Sequence, residues 1–304
     1  LEGFIVMPWE TETDSTGKLV AISNSVWHFA ATVSDGEDGV TLSSSAVSSV
    51  GQSEAIDKTI DLSTLQRDTG YRLTRLGASV FDGKSRLGSV RLVCEDLLAI
   101  GDKAFFNSSV SRILPEEVFP NLETVGALAF QGARRFVAPK LKSVGGSAFE
   151  GGALTNFYPT TITFPMNNAV FYKQTGLRGD FVIDSPTKSI PLEFFGNCQS
   201  ISSLTVNSPV ETIDSWAFYH CGGRCKIYWN VPAPKTLGSC AFGTQSSTGP
   251  FAQLICSTRE ATEGFMKFAD GTASSKEKMN FVPIELIDPK YLTRAFLGDA
   301  KRSR

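Results

Sequence analysis

The sequence predicts a β/α repeat solenoid of right-handed coils, with parallel strands on one face, short helical turns on the other and a β-hairpin over its N-terminal end. Three observations predict it. An eight-residue unit, seen as Val144-Gly145-Gly146-Ser147-Ala148-Phe149-Glu150-Gly151, recurs along most of the 304 residues. Its copies keep a near-constant spacing, and self-similarity at a fixed period of this length is the mark of stacked coils. Ahead of the copies lie short segments in which apolar residues alternate, the pattern of a strand with one face buried.

The unit reads as an aliphatic residue, a turn-former, two variable positions, a small or apolar residue, Phe, any residue, then Gly or Asn. Copies begin at Leu76, Ile100, Val125, Val144, Met166, Ile190, Ile213 and Leu237, in steps of 24, 25, 19, 22, 24, 23 and 24. Eight of the 22 Phe share one column: Phe81, Phe105, Phe130, Phe149, Phe171, Phe195, Phe218 and Phe242. Before them stand Val80, Ala104, Ala129, Ala148, Val170, Phe194, Ala217 and Ala241, mostly small enough to let a neighbouring coil approach. Gly77, Gly101, Gly126, Gly145, Asn167, Pro191, Asp214 and Gly238 follow the aliphatic residue and suit turns and helix starts. Gly83, Asn107, Gly132, Gly151 and Asn197, two residues after Phe, suit the left-handed residue that closes a short helix.

The strand segments are Val90-Arg91-Leu92, Phe136-Val137-Ala138, Phe181-Val182-Ile183, Leu204-Thr205-Val206 and Ile227-Tyr228-Trp229. One strand and one turn per ~23 residues lies within the range of leucine-rich repeats. The run from Ser200 to Phe218, with Ile201, Leu204, Val206, Pro209, Val210, Ile213, Ala217 and Phe218, resembles the BspA-like leucine-rich repeat of bacterial surface proteins. A cysteine position of that family is matched by Cys198 and Cys221 and departed from at Lys84, Ser108, Ala133, Gly152, Gln174 and Gln245. The resemblance covers about residues 56–258. It implies a secreted or surface-displayed protein that binds host or bacterial proteins in adhesion, without enzymatic activity.

In chain order, residues 1–55 are expected to form a lead and cap, 56–258 the solenoid, and 259–304 a C-terminal cap and tail. Residues 1–18 read as an extended lead. Trp27, Phe29, Ala31 and Val33, the turn Asp35-Gly36-Glu37-Asp38-Gly39, then Val40 and Leu42 read as the hairpin. The Ser-rich 43–53 reads as a loop, and Ile60-Asp61-Leu62 as the strand of a stretched first coil. Phe251 to Cys256 offer a last strand, Glu260 to Phe268 an amphipathic closing segment, and 285–304 a docked helix or a linker. An export signal is expected to have been removed ahead of Leu1.

Net charge of −2 and a pI near 5.8 argue against a nucleic-acid surface, and no apolar run is long enough to cross a membrane. No catalytic constellation stands out, and no cofactor or metal site is expected. The two His, the Gly145-Gly146 and Gly151-Gly152 pairs and Glu116-Glu117 all read as turn or solvated residues, and Cys221, Cys225 and Cys240 lack zinc-ligand spacing. Cys198 and Cys221 would stack in adjacent coils, as buried thiols or as a disulfide. Asn107-Ser108-Ser109 is a glycosylation sequon.

The outward column of the strands reads Arg91, Leu114, Val137, Tyr158, Val182, Thr205, Tyr228 and Ile255, six of them apolar or aromatic. Such a stripe, rimmed by Arg112, Arg135, Asp180 and Lys226 on one side and Glu116, Asp184, Asn207 and Asn230 on the other, suits a protein partner. The expected function is therefore a monomeric protein-interaction module with an extracellular or surface protein ligand. Two alternatives remain: a structural spacer within a larger surface protein, and a carbohydrate-binding N-terminal region using Trp9, Trp27 and Phe29.

Overall fold

The computed structural model describes residues 8–47, 59–84, 87–108, 112–114, 118–130, 134–151, 154–222, 225–242, 252–269 and 284–286. The chain falls into two compact units, Leu1–Tyr158 and Pro159–Arg304. Each contains parallel-strand β-solenoid.

In the first unit the strands are β1 (Glu10–Thr13), β2 (Leu19–Ser23), β3 (Trp27–Asp35), β4 (Gly39–Val47), β5 (Thr59–Asp61), β6 (Arg72–Leu76), β7 (Ser89–Arg91), β8 (Ala99–Ile100), β9 (Arg112–Leu114), β10 (Thr124–Val125), β11 (Arg135–Val137), β12 (Ser143–Val144) and β13 (Asn156–Tyr158). β1 to β4 pair antiparallel in sequence order. β4 then pairs parallel with β6, which is followed by β8, β10 and β12. The aliphatic column Leu76, Ile100, Val125 and Val144 is thus one strand ladder. β5, β7 and β9 form a second ladder, and β11 with β13 a third. The N-terminal residues do more than lead in. Trp9 is buried, its indole N–H donates to the Asp61 carbonyl at 3.0 Å, and β1 extends the sheet. Part of the expected 43–53 loop belongs to β4.

In the second unit the strands are β14 (Thr161–Ile162), β15 (Gly179–Ile183), β16 (Ser189–Ile190), β17 (Ile201–Val206), β18 (Thr212–Ile213), β19 (Lys226–Trp229), β20 (Thr236–Leu237), β21 (Gln253–Cys256) and β22 (Ile284–Leu286). β14, β15, β17, β19, β21 and β22 form one parallel sheet, and β16, β18 and β20 another. Helix Arg259–Ala269 sets Phe265 against Trp229 and Phe242, with ring centroids 5.1 and 5.8 Å apart. Leu286, expected on a helix or linker, belongs to β22, and residues 287–304 lie outside the described residues.

All eight Phe of the repeat column are buried. In the first unit Phe81, Phe105, Phe130 and Phe149 follow one another at 5.3, 5.2 and 6.0 Å between ring centroids. In the second, Phe171, Phe195, Phe218 and Phe242 do so at 5.3, 6.5 and 5.2 Å. Offset and edge-on aromatic pairs at such separations add to the burial of apolar area.

The turns that carry these Phe are not the expected helices. Among the described residues the helices are Leu65–Thr69 and Arg259–Ala269, and neither lies in a Phe turn. The residue two before each Phe, from Ser79, Lys103, Leu128 and Ser147 to Ala169, Glu193, Trp216 and Cys240, has φ between 51° and 59°. A second left-handed residue stands two after the Phe at Gly83, Asn107, Gly151, Lys173, Asn197 and His220. A right-handed helix cannot run through such a residue, which costs an L-amino acid about 1–2 kcal/mol. The hydrogen bonds go between coils instead. The N–H groups of Phe81, Phe105 and Phe130 donate to the carbonyls of Ala104, Ala129 and Ala148, and those of Phe195 and Phe218 to Ala217 and Ala241, all within 2.7 to 3.1 Å.

The turn of the β3–β4 hairpin is fastened to β6 by two arginines. Arg75 meets both oxygens of Asp35 at 2.8 and 2.9 Å, and Arg72 meets both of Asp38 at 2.8 and 3.0 Å. Thr74 Oγ1 also donates to Asp35. The Arg75 guanidinium holds the Asp35 carboxyl down at about 2, against 3.8 ordinarily. Because the folded value is the lower one, this stabilisation is complete above about pH 4 and fades as pH falls toward 2. Asp35→Asn should therefore cost about 1–2 kcal/mol at pH 7 after allowance for screening. Urea unfolding at stepped pH should show that difference shrinking below pH 4; a pH-independent difference would mean that the charge is not its source.

Candidate interaction surface

Strand alternation sets the surface. In the second unit Phe181, Ile183, Leu204, Val206, Ile227 and Trp229 are fully buried, so the residues between them face the other way. Pairing brings Thr161, Val182, Thr205, Tyr228, Ile255 and Glu285 into one row across the sheet. Thr161 is exposed, and Val182, Thr205 and Tyr228 are half-buried. Ile255 is a correction to the sequence reading. At 5% exposure it offers no surface to a partner, unlike Val182, Thr205 and Tyr228 in the same register row. Polar ladders run beside the row. Ser203 Oγ donates to Asp180 Oδ1 at 2.6 Å, with Lys226 and Gln253 next in register, and Asn230 Nδ2 donates to Asn207 Oδ1 at 2.9 Å on the other side.

In the first unit the row is interrupted. Arg91 pairs with Asp61 on one side and Leu114 on the other, and its Nε lies 3.9 Å from Asp61 Oδ2. The strand neighbour of Val137 is Val118, where the sequence spacing places Leu114. On its other side Val137 pairs with Tyr158, which is 50% exposed. Likewise the neighbour of Val182 in the second unit is Thr161, where the spacing places Tyr158. The cause is visible in the residue types. Pro115 follows Leu114 and Pro159 follows Tyr158, and a proline brings no N–H to a ladder. Pairing resumes a few residues later, at Val118 and Thr161. Glu116 lies outside the described residues, as do the side chains of Arg112 and Leu114.

The other candidate groups are interior. Trp9, Trp27 and Phe29 are at most 7% exposed and pack on one another and on Phe81, with ring centroids 5.8 to 6.4 Å apart. That burial overturns a sugar platform on these three rings. All six cysteines are buried. The Cys198 and Cys221 thiols donate to the carbonyls of Phe171 and Phe195, at 3.0 and 3.2 Å, in the preceding coil. Burial pushes both well above the ordinary thiol range, and pushes Cys225 up to about 12. Thiols this far from ionising are poor nucleophiles and poor ligands. Among the described residues no three His, Cys, Asp or Glu side chains converge as metal ligands. No helix there is long and apolar enough to cross a membrane.

The model of the BspA type leucine-rich repeat region matches the sequence in overlapping stretches, residues 53–178, 116–223 and 166–249. The chain belongs to this family. The matched stretches of this BspA-type chain take in all eight Phe turns and the ladders from β7 to β20. Among solved structures it is similar to a leucine-rich repeat protein from Bacteroides ovatus, at 13% identity and a TM-score of 0.47, over 86% of this chain and 76% of that one. No curated protein matches it.

Proposed function

We propose that this BspA-type chain is a secreted or surface-displayed protein-interaction module, and that in the second unit its partner binds the outward row Thr161, Val182, Thr205 and Tyr228. The observation that carries this reading is the half-exposed Val182–Thr205–Tyr228 row held in strand register between two polar ladders. A sheet face that only met water would be expected to alternate toward polar side chains. An apolar centre with a hydrogen-bonding rim is instead the anatomy of a protein contact. In the first unit, taken by itself, Tyr158 beside Val137 is a separate candidate contact, and adhesion to a host or bacterial surface protein is the biological use in this reading. Strands β1–β4 and helix Arg259–Ala269 then serve as the caps that terminal coils need.

The test is capture of extracellular-matrix and epithelial surface proteins by the purified chain, repeated with a variant carrying Val182→Lys and Tyr228→Lys. Two buried lysines at a contact centre should weaken a captured partner by at least ~100-fold, with the unfolding midpoint unchanged. Equal capture by the folded variant would remove the sheet face from the proposal. Capture of nothing by the native chain would favour the spacer reading.

A further inference from the structure

The sheet face of the second unit carries opposite charges that its own coils hold apart. In the first of three outward rows Asp180, Ser203 and Lys226 follow one another in strand register on β15, β17 and β19. On the neighbouring short ladder, opposite charges stand one coil apart and pair, Glu211 meeting Lys188 and Lys235 at 2.9 Å each. Here two strand spacings, about 9.6 Å, intervene. Both side chains are exposed, and among the described residues neither makes an ion pair. Asp180 Oδ1 takes the Ser203 hydroxyl, which leaves Oδ2 open to a cation.

The second row is Val182, Thr205 and Tyr228, and the third is Asp184, Asn207 and Asn230. The pattern is complementary to itself about β17. When a second copy is turned by a half-rotation about an axis parallel to β17 and laid face to face, β17 meets β17, β15 meets β19 and every row keeps its place. Asp180 then faces the partner's Lys226, Val182 the partner's Tyr228, and Asp184 the partner's Asn230. The Asn230 amide, with one N–H given to Asn207, keeps a second for a carboxylate. Each contact recurs in reverse across the axis, as an isologous interface requires. Strand directions stay aligned, as they do when sheets pack face to face. The other half-rotation in the plane of contact, about an axis across the strands, would set Asp180 against the partner's Asp184 and repeat that clash. Like charges opposed across an interface are costly, so charge selects the first arrangement.

We infer that the partner of the sheet face is a second copy of this chain, in a two-fold contact of aligned strands centred on Thr205. This rests on the proposed reading of that face as an interaction surface and names its partner. A contact of three strands by three rows is small, in the class of weak and transient interfaces. The chain is therefore monomeric when dilute and associates where it is displayed densely, because many weak contacts then act together.

Sedimentation equilibrium of the whole chain should show a dimer forming at ~0.1–1 mM. Asp180→Lys and Lys226→Asp should each weaken self-association ~10-fold or more, since the two-fold makes one substitution spoil two contacts. Both positions are exposed, so the unfolding midpoint should not move. An equal mixture of the two variants should dimerise as well as the native chain, because each introduced charge then meets its opposite twice. A native chain that stays monomeric at ~1 mM would overturn the inference. So would single variants that associate like the native chain, or a mixture that does not recover. A monomeric native chain whose capture of a surface protein is lost with Val182→Lys and Tyr228→Lys would overturn self-pairing alone and leave the sheet face with a different partner.

Discussion

Phe195→Ala is expected to destabilise the second unit by about 3–5 kcal/mol, the largest effect of any single truncation considered. Its side chain is fully buried, and its ring touches those of Phe171, Phe181, Phe194 and Phe218 at centroid distances of 4.9 to 6.5 Å. The backbone around it is fixed by the hydrogen bond of its N–H to Ala217, so the site cannot collapse to fill the hole. Nearest-neighbour coupling raises the stakes, since a solenoid coil is stable only against its neighbours. Phe195→Leu, which keeps most of the volume, should cost about 1–2 kcal/mol. Urea unfolding followed by circular dichroism measures both. A cost near zero for Phe195→Leu would mean that the aromatic ladder contributes no more than any apolar filling.

Gly145→Ala is expected to cost about 3 kcal/mol, although it adds one methyl group to a turn. A Cβ at Gly145 would overlap the backbone nitrogen of Ala127 in the preceding coil. Backbone atoms held in a ladder cannot step aside as the end of a side chain can. Gly101 and Gly126 face the coil before them in the same way, the Cβ of Gly101 falling 2.7 Å from the Gly77 carbonyl carbon. Gly151, six residues on, is the contrasting case. It has φ 67° with nothing near its Cβ position, so Gly151→Ala should cost only the left-handed penalty of about 1 kcal/mol. Gly151→Asn should be nearly neutral, as Asn107 and Asn197 in that column suggest. If Gly145→Ala and Gly151→Ala cost the same, close approach of coils is not what glycine secures at 145.

Those two glycines show where reading the sequence stops. Both look like turn residues in the repeat, and the sequence assigned the 145 column to turns and helix starts. The structure separates them, because a close approach depends on a coil 19 residues away while a left-handed φ depends on the local chain. The same limit explains the Phe turns. A left-handed residue is legible when it is Gly83 or Asn107, but not when it is Lys103, Leu128 or Trp216, whose side chains carry no sign of the conformation. The candidate surface was half legible. Strand alternation identified Val182, Thr205 and Tyr228, whereas the counting of fixed steps carried the column through Pro115 and Pro159, where a proline brings no N–H to the ladder, and onto Ile255, which is buried.

By itself the sequence determined the repeat, its period, the Phe core and the strand faces, because each follows from side-chain volume and apolar periodicity that every coil repeats. Only the tertiary structure decided which coil pairs with which residue, which outward side chains reach water, and that the turns are bonded between coils rather than within helices. Those depend on backbone groups of one coil meeting those of the next, and hydrogen-bonding partners far apart in the chain leave no pattern in either stretch alone.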